Sequence, residues 1–379
     1  MAPDPLAGLI RIFRADPGHS FTADQWEVIQ QAASGDLWAA KAVALREYRE
    51  RRYEQALLGT RSIWERERQP ENLKNLAVCL REMKQHSEAI EILLKNGHIL
   101  EDIVLNDLLC SLYRAIGDIE NAVKHGERTL YLKDKDSNKQ SAPEQYIIRP
   151  FKASNRSRNV VSFSIWGSHP RYLNGAITNS IVCRYLYPGW TPRFYADPSL
   201  PEAFLNRLTA NGAKVVLVTD LPAARYGLFW RFLVEDDEEV DIYIIRDADS
   251  VVNIKEAWAV TDWLRSDAAF HVMRDSPQHS ELILAGMWGA HRGNIGNMRN
   301  RIIAHVEGSQ KTGNDITSDQ RFLRREVWPI MRHSLVAHDS FFNFMCPRRY
   351  PPEVALPGQM HVGQNDWVNF RRHSPGAPP

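Results

Sequence analysis

A chain of 379 residues, 44% hydrophobic and 25% charged, has the apolar content for a packed core and the length for two domains. Its 47 Lys and Arg against 46 Asp and Glu exclude the overall basic footprint with which proteins grip nucleic acid or an anionic membrane. The four cysteines, Cys79, Cys110, Cys183 and Cys346, include no CxxC pair, which argues against a disulfide framework or a structural zinc site and suits a reducing cytoplasm.

The first twenty residues, MAPDPLAGLIRIFRADPGHS, carry no long apolar core, being interrupted by Asp4 and Arg11, so a signal peptide is not expected. No stretch reaches the roughly 18 apolar residues of a membrane span. The expectation is a cytoplasmic protein with no transmembrane segment, for which peripheral attachment to the inner face of the membrane stays open.

Residues 22 to about 133 read as helix, rich in Ala, Leu, Glu, Arg and Lys, with Pro70 their only proline. The stretch repeats itself. Tyr53-Glu-Gln-Ala56-Leu57, His86-Ser-Glu-Ala89-Ile90 and Ile119-Glu-Asn-Ala122-Val123 are equivalent, with their alanines 33 residues apart. Twelve residues before each alanine stands another small residue: Ala44, Ala77 and Cys110. Small residues at fixed sites let paired helices approach closely. With Gly117 at one turn, Arg51 in its place in the first unit and Pro70 closing another, residues 1–135 resemble an all-α array of tetratricopeptide repeats, whose period is about 34 residues. The bundle alternative is a plain helical one. The resemblance implies a surface that recruits a peptide or protein partner.

The polar run Lys133–Pro143 breaks the helical pattern, and residues 136–158 read as a linker. Strand and helix signals then alternate. Val160–Trp166 reads as a strand, 174–187 as helix, Thr191–Ala196 as strand, 201–211 as helix and Lys214–Thr219 as strand. A helix around Leu228–Val234 precedes the strand Val240–Ile245. That alternation predicts an α/β sandwich of parallel strands, in which ligands bind off the strands' carboxyl ends.

Arg246-Asp247-Ala248-Asp249-Ser250 follows the last of these strands. Alternate residues of an extended segment face one side, so Asp247 and Asp249 can share one hard cation, Mg²⁺ or Mn²⁺, which in turn grips a diphosphate. Such a pair also occurs in acidic turns and helix caps; its place after an apolar strand sets it apart.

With that strand and its acids in order, residues 159–370 resemble a GT-A glycosyltransferase, a Rossmann-like mixed sheet with flanking helices. The layout is that of the glycogenin-like and bacterial galactosyltransferase group. The resemblance implies a nucleotide-sugar donor, a UDP-sugar foremost, Mn²⁺ or Mg²⁺ as cofactor, a protein or saccharide acceptor, and retention at the anomeric carbon. Arg231 in Gly227-Leu-Phe-Trp-Arg-Phe-Leu matches the family's donor-contacting basic residue, and Asp319-Gln320 its Asp-Gln pair beside the donor sugar. His361-Val362-Gly363 matches the late His that supplies a third metal ligand, although the Lys-Pro-Trp that follows it in the family is absent; His338 is a rival. Capping a helix is the alternative use of Ser318-Asp319.

Arg171 and Tyr172, after the first strand, are where the resemblance places contacts to the uracil or guanine and ribose. Arg274 and Asp275 are candidates for recognising hydroxyl groups, and Gly286 in Leu284-Ala-Gly-Met-Trp288-Gly for close backbone approach to the donor sugar. Asp319, Asp275 and Arg231 form the expected catalytic set; Asp247, Asp249 and His361 the metal set. Two other classes stand beside this reading. One is a nucleotidyltransferase acting on a sugar phosphate, to whose basic phosphate loop WGSHPR is a poor match. The other is a non-catalytic peptide-binding adaptor. The tail Arg371–Pro379 reads as disordered.

Overall fold

The structure, a computed structural model, describes residues 5–15, 19–137, 140–311, 319–358 and 360–365. The expected disordered tail 371–379 and Ser318 lie outside the described residues. The chain divides into two compact units, Met1–Leu132 and Lys133–Pro379.

The first unit is helical. It contains α1 (Pro5–Ala15), α2 (Ala23–Ala32), α3 (Leu37–Arg49), α4 (Tyr53–Arg66), α5 (Pro70–Glu82), α6 (His86–Asn96), α7 (Asp102–Ala115) and α8 (Ile119–Asp136). The starts follow from local chemistry. Thr22 and Gln25 form a reciprocal capping box on α2, Asp36 accepts from Ala39 N–H at 2.8 Å, and Pro70 opens α5 where its missing N–H costs nothing. Helix α8 runs through Lys133–Asp136, so the helical pattern outlasts the expected break; Lys133 and Lys135 are good helix formers and suit the last turn of a helix.

The repeat seen in sequence is a packing repeat. Ala56, Ala89 and Ala122 are fully buried, and Ala44, Ala77 and Cys110 nearly so. A Cβ on Gly59 would stand 3.1 Å from that of Ala44, which shows how closely α3 and α4 pass. Arg51, Lys84 and Gly117, again 33 residues apart, all take positive φ (60°, 60° and 82°). The left-handed turn inside each helix pair therefore recurs even where no small residue occupies it.

The second unit carries β1 (Asn159–Ile165), α9 (Pro170–Leu186), β2 (Thr191–Ala196), α10 (Glu202–Ala210), β3 (Lys214–Leu217) and α11 (Ala223–Tyr226). A ten-residue 3₁₀ helix (Gly227–Asp236) leads to β4 (Ile242–Ile245), α12 (Ile254–Trp263), β5 (Phe270–Arg274) and β6 (Trp288–His291). Helix α13 (Met298–Lys311), α14 (Asp319–Phe322), a π-helical turn (Leu323–Val327), α15 (Trp328–Met331) and β7 (Leu335–Asp339) complete it. The expected helix at Leu228–Val234 is thus 3₁₀ and longer, and α9 begins four residues early because Pro170 is accepted at its first position. Residues 140–158, expected as a linker, hold to this unit: Tyr146 Oη donates to Ile330 O (2.8 Å), Ile147 N to Asn294 Oδ1 (2.8 Å), and Phe151 stacks on Trp190.

The seven strands among the described residues form one mixed sheet in the order β3-β2-β1-β4-β6-β5-β7. Strands β1 to β4 pair in parallel, as the alternation predicts, while β6 runs antiparallel to both β4 and β5. β1, β4, β5 and β6 are buried along their whole length, the mark of a sheet covered on both faces. Val161, Phe163 and Ile165 of β1 join Ile242 and Ile244 of β4, Ala176 and Cys183 of α9 and Trp263 of α12 in its main apolar core. From β1 the chain goes outward through β2 to β3, then returns to place β4 on the other side of β1. A crevice at such a switch point, off the carboxyl ends of β1 and β4, is where an open α/β sheet binds ligands.

Candidate active site

That crevice holds a cavity of about 400 Å³. Its wall includes Ser164 near the end of β1, Trp166 just past it, Arg171 and Tyr172 on α9, Arg231, the run Asp247–Ser250 after β4, and His279. Leu284–Met287 between β5 and β6, Asp319 and Gln320 on α14, and Gly363 line it as well.

Strand periodicity builds one side of it. Ser162 and Ser164 face the same side of β1, opposite the core residues Val161, Phe163 and Ile165. Ser162 Oγ donates to Arg231 O at 2.7 Å, and Arg231 N donates to Ser164 Oγ at 2.8 Å. Trp166, one residue past the strand, packs on Gly227, where a Cβ would meet its ring at 2.8 Å. These contacts seat the 3₁₀ helix and fix where Arg231 starts.

Arg231 is buried, and its guanidinium bridges two carboxylates. Nη1 pairs with Asp247 and Nη2 donates to Asp319 Oδ2 at 2.7 Å. Its Nε has no hydrogen-bond partner among the described residues. Burial works against the charge, and the fields of Asp247 and Asp319 outweigh it, so the guanidinium is held protonated. Burial also pushes the Asp319 carboxyl above the usual range, with Arg231 pulling against it. Asp319 Oδ1 accepts the N–H of Gln320 at 2.9 Å.

The second acid of the pair is held by the second arginine. Arg171 Nε donates to Asp249 Oδ2 at 2.5 Å, and Nη2 pairs with the same oxygen. Burial first, then the like charge of Asp247, raises the Asp249 carboxyl, while Arg171 opposes both. Two guanidiniums thus face three carboxylates. Each arginine takes one oxygen of its acid in the Asp-Ala-Asp run, which leaves Asp247 Oδ2 and Asp249 Oδ1 outside the ion pairs.

The backbone of that run is clamped from α9. Asn179, fully buried, donates Nδ2 to Ala248 O (3.2 Å) and Ser250 O (3.0 Å) and accepts Val252 N–H on Oδ1 (3.0 Å). A Cβ on Gly175, one helical turn before Asn179, would stand 2.9 Å from Asp249 Cα and closer still to Ala248 O. From the other side a Cβ on Gly286 would stand 2.6 Å from Asp247 Cγ and 3.0 Å from its nitrogen. At Gly175 the obstacle is backbone and only glycine fits, whereas at Gly286 a Cβ would have to push the Asp247 carboxylate aside. The sequence reading named Gly286 but not Gly175 or Asn179; a glycine inside a helical pattern was the available signal for Gly175.

The remaining expected residues are arranged differently. Arg274 is off the cavity wall: it is buried, donating Nε to Glu281 O (3.0 Å) and Nη2 to Leu282 O (2.6 Å), so it supports the loop before Gly286 rather than facing a ligand. Asp275 is also set back. It accepts from Lys255 Nζ (2.6 Å), from Ser340 Oγ and from Val362 N–H (3.0 Å), and so anchors the segment that brings Gly363 to the wall. Ser250 Oγ fastens the same segment through Gln364 O (2.8 Å). His361 donates Nδ1–H to Val362 O at 2.9 Å, which leaves the lone pair on Nε2; the ring stands edge-on to His279, which is on the wall. His338 is committed elsewhere, between His271 (2.8 Å) and Asp262 (3.1 Å) in the buried sheet.

No three His, Cys, Asp or Glu side chains gather as a cation cage among the described residues. Two carboxylates offering hard oxygens, beside a glycine that keeps Asp247 in place, still fit Mg²⁺ or Mn²⁺, which commonly takes one or two carboxylates and completes its shell with substrate phosphates and water. Among the described residues no helix is long and apolar enough to cross a membrane.

No family model matches the chain, and no curated protein matches it in sequence. Among solved structures, a crystal structure described as a mycobacterial protein is 18% identical over 40% of this chain and 59% of its own, with a TM-score of 0.27. The chain therefore spans less than two thirds of that structure's length. Glucosyl-3-phosphoglycerate synthase from Mycobacterium tuberculosis, in complex with phosphoglyceric acid, is 14% identical over 54% of this chain and 77% of its own, with a TM-score of 0.28. These likenesses are slight. The cavity sets three carboxylates and two guanidiniums side by side at the switch point of an α/β sheet, a lining whose chemistry suits a cation next to an anionic ligand.

Proposed function

We propose that the second unit is a metal-dependent glycosyltransferase that moves a sugar from a nucleotide-sugar to a saccharide or protein acceptor. The observation that carries this reading is the convergence of Asp247, Asp249, Arg231, Asp319 and Gly286 on one cavity off the ends of β1 and β4.

In this reading Asp247 and Asp249 hold the cation through their carboxylate oxygens. Bound there, Mg²⁺ or Mn²⁺ would act as a Lewis acid on the departing nucleoside diphosphate. Arg231, kept charged by its two carboxylates, adds a fixed positive potential beside the diphosphate and needs no reorganisation to do so. Asp319, turned toward the same guanidinium, is placed to orient the donor sugar, with Gln320 beside it on the wall. Gly286 lets the backbone approach both Asp247 and the sugar. Arg171 and Tyr172 take the diphosphate and nucleoside end, and Asp275 acts as a positioning residue through the segment bearing His361 and Gly363. His361, its Nε2 lone pair free of the Val362 bond, is the proposed third ligand. The chemistry is read as retaining, and the helical pairs of the first unit, as tetratricopeptide-like repeats, as the surface that recruits acceptor or partner.

The test is release of nucleoside diphosphate from UDP- and GDP-sugars with Mn²⁺ and with Mg²⁺. Asp247→Ala is expected to abolish release while the circular dichroism spectrum stays that of the wild type. Wild-type turnover by that variant would sink the metal model.

A further inference from the structure

Arg171 and Asp249 form an ion pair on one of the two carboxylates that the proposed function gives to a cation. The pair is unequal. The Asp249 side chain is 9% exposed, whereas Arg171 keeps 33% of its surface in solvent. The arginine's backbone is fixed at the second position of α9, after Pro170 and with its N–H donated to His169 Nδ1 at 3.1 Å. Its guanidinium is not fixed in the same way. It hangs on a flexible stem at the cavity mouth, with the Tyr172 ring 5.2 Å away as a second resting place.

Arg231 gives the contrast. It is buried, shared between Asp247 and Asp319, and its backbone is bonded at both N and O by serines of β1. Freeing it would strand two carboxylates. Freeing Arg171 strands only Asp249, and a divalent cation would compensate that charge directly. A cation on Asp249 takes up the same carboxylate charge that holds the guanidinium, and once side by side the two repel. A diphosphate offers the planar fork of Arg171 a matching pair of acceptors a short distance off.

We infer that Arg171 is an exchangeable latch: a divalent cation displaces it from Asp249, and the displaced guanidinium becomes a ligand of the diphosphate, so that cation and nucleotide bind cooperatively. The inference rests on the glycosyltransferase reading and goes beyond it in coupling the two ligands through one side chain. Coupling of this kind is reciprocal, so the factor by which nucleotide tightens the cation equals that by which the cation tightens nucleotide.

The experiment titrates Mn²⁺ by electron paramagnetic resonance and UDP and GDP by calorimetry, on full-length wild type and Arg171→Gln. The variant should bind Mn²⁺ alone about fivefold more tightly, because its competitor is gone. It should bind nucleoside diphosphate in the presence of Mn²⁺ about tenfold more weakly, a pair of factors typical of coupled sites. A side chain that merely propped the loop would weaken both when removed. Mn²⁺ affinity no better than wild type, or nucleotide affinity with Mn²⁺ equal to wild type, overturns the latch while leaving the site reading intact. A wild type that binds neither Mn²⁺ nor any nucleoside diphosphate overturns both.

Discussion

Gly286→Ala is a one-carbon change aimed at Asp247 alone. The added Cβ would lie 2.6 Å from Asp247 Cγ and 3.0 Å from its backbone nitrogen. Carbon atoms rest about 3.5–4.0 Å apart, so roughly 1 Å of movement is required. The lowest-cost way to gain it is rotation of the Asp247 carboxylate, whose side chain is 37% exposed and therefore has somewhere to go. The fold should lose no more than the usual cost of a slight overpacking, about 1–3 kcal/mol, read as a few degrees of melting temperature. Function should lose far more. Misplacement of a site group by about 1 Å costs on the order of a hundredfold in rate, and here it also turns an oxygen away from the cation and strains the pair with Arg231. The assay is Mn²⁺-dependent UDP binding by calorimetry beside nucleotide release from the sugar donor. The expected result is a protein that melts near the wild type but binds nucleotide no better with Mn²⁺ than without. A variant that binds and turns over like the wild type would refute the argument that this glycine exists to seat Asp247.

Other consequences follow from neighbouring contacts. Asn179→Ala removes three buried hydrogen bonds and should lower stability by about 1–3 kcal/mol in chemical denaturation, with weaker metal-dependent nucleotide binding because the Asp-Ala-Asp run loosens. Glu235 accepts three backbone N–H groups from Gly293, Ile295 and Gly296, yet burial raises its carboxyl above the ordinary value. A folded value above the unfolded one means that ionisation costs stability, so the wild type should lose ground to Glu235→Gln as pH climbs from about 4 through the raised folded value. Equal pH profiles for the two proteins would contradict that sign. Lys84→Gly, at φ 60°, should raise stability by about 1 kcal/mol in a denaturant melt, since a left-handed lysine is costlier than a left-handed glycine.

Much of the site was legible because a few residues announce themselves. An apolar run ending in Asp247-Ala-Asp249 reads as a buried strand delivering two acids to the carboxyl end of a sheet, and the fold puts them there. The alternation of helix and strand likewise gave β1 to β4. Asp319 lies 88 residues beyond Arg231 in sequence, yet it shares that arginine's guanidinium with Asp247, each carboxylate on its own Nη atom, which only the fold could reveal. Arg274 shows the converse failure. In sequence a polar cluster behind an apolar entry looks like a ligand contact, but the side chain turns inward to carbonyls of its own loop. Asn179 was invisible because an asparagine in a helix says nothing of what its amide will clamp. The antiparallel β6 was missed for a different reason: four residues with a glycine inside, Gly289, and another two positions ahead, Gly286, carry too little pattern to declare a strand or its direction.

The central claim is that Asp247 and Asp249 hold a cation that binds nucleoside diphosphate. Its most direct test is the melting temperature of the wild type and of Asp249→Asn with UDP and with GDP, each with and without Mn²⁺. A ligand that binds only the folded state raises apparent stability by mass action. The account predicts that one of the two nucleotides raises the wild-type melting temperature only when Mn²⁺ is present, and that Asp249→Asn abolishes that rise. No Mn²⁺-dependent rise with either nucleotide, or an equal rise in the variant, would contradict it.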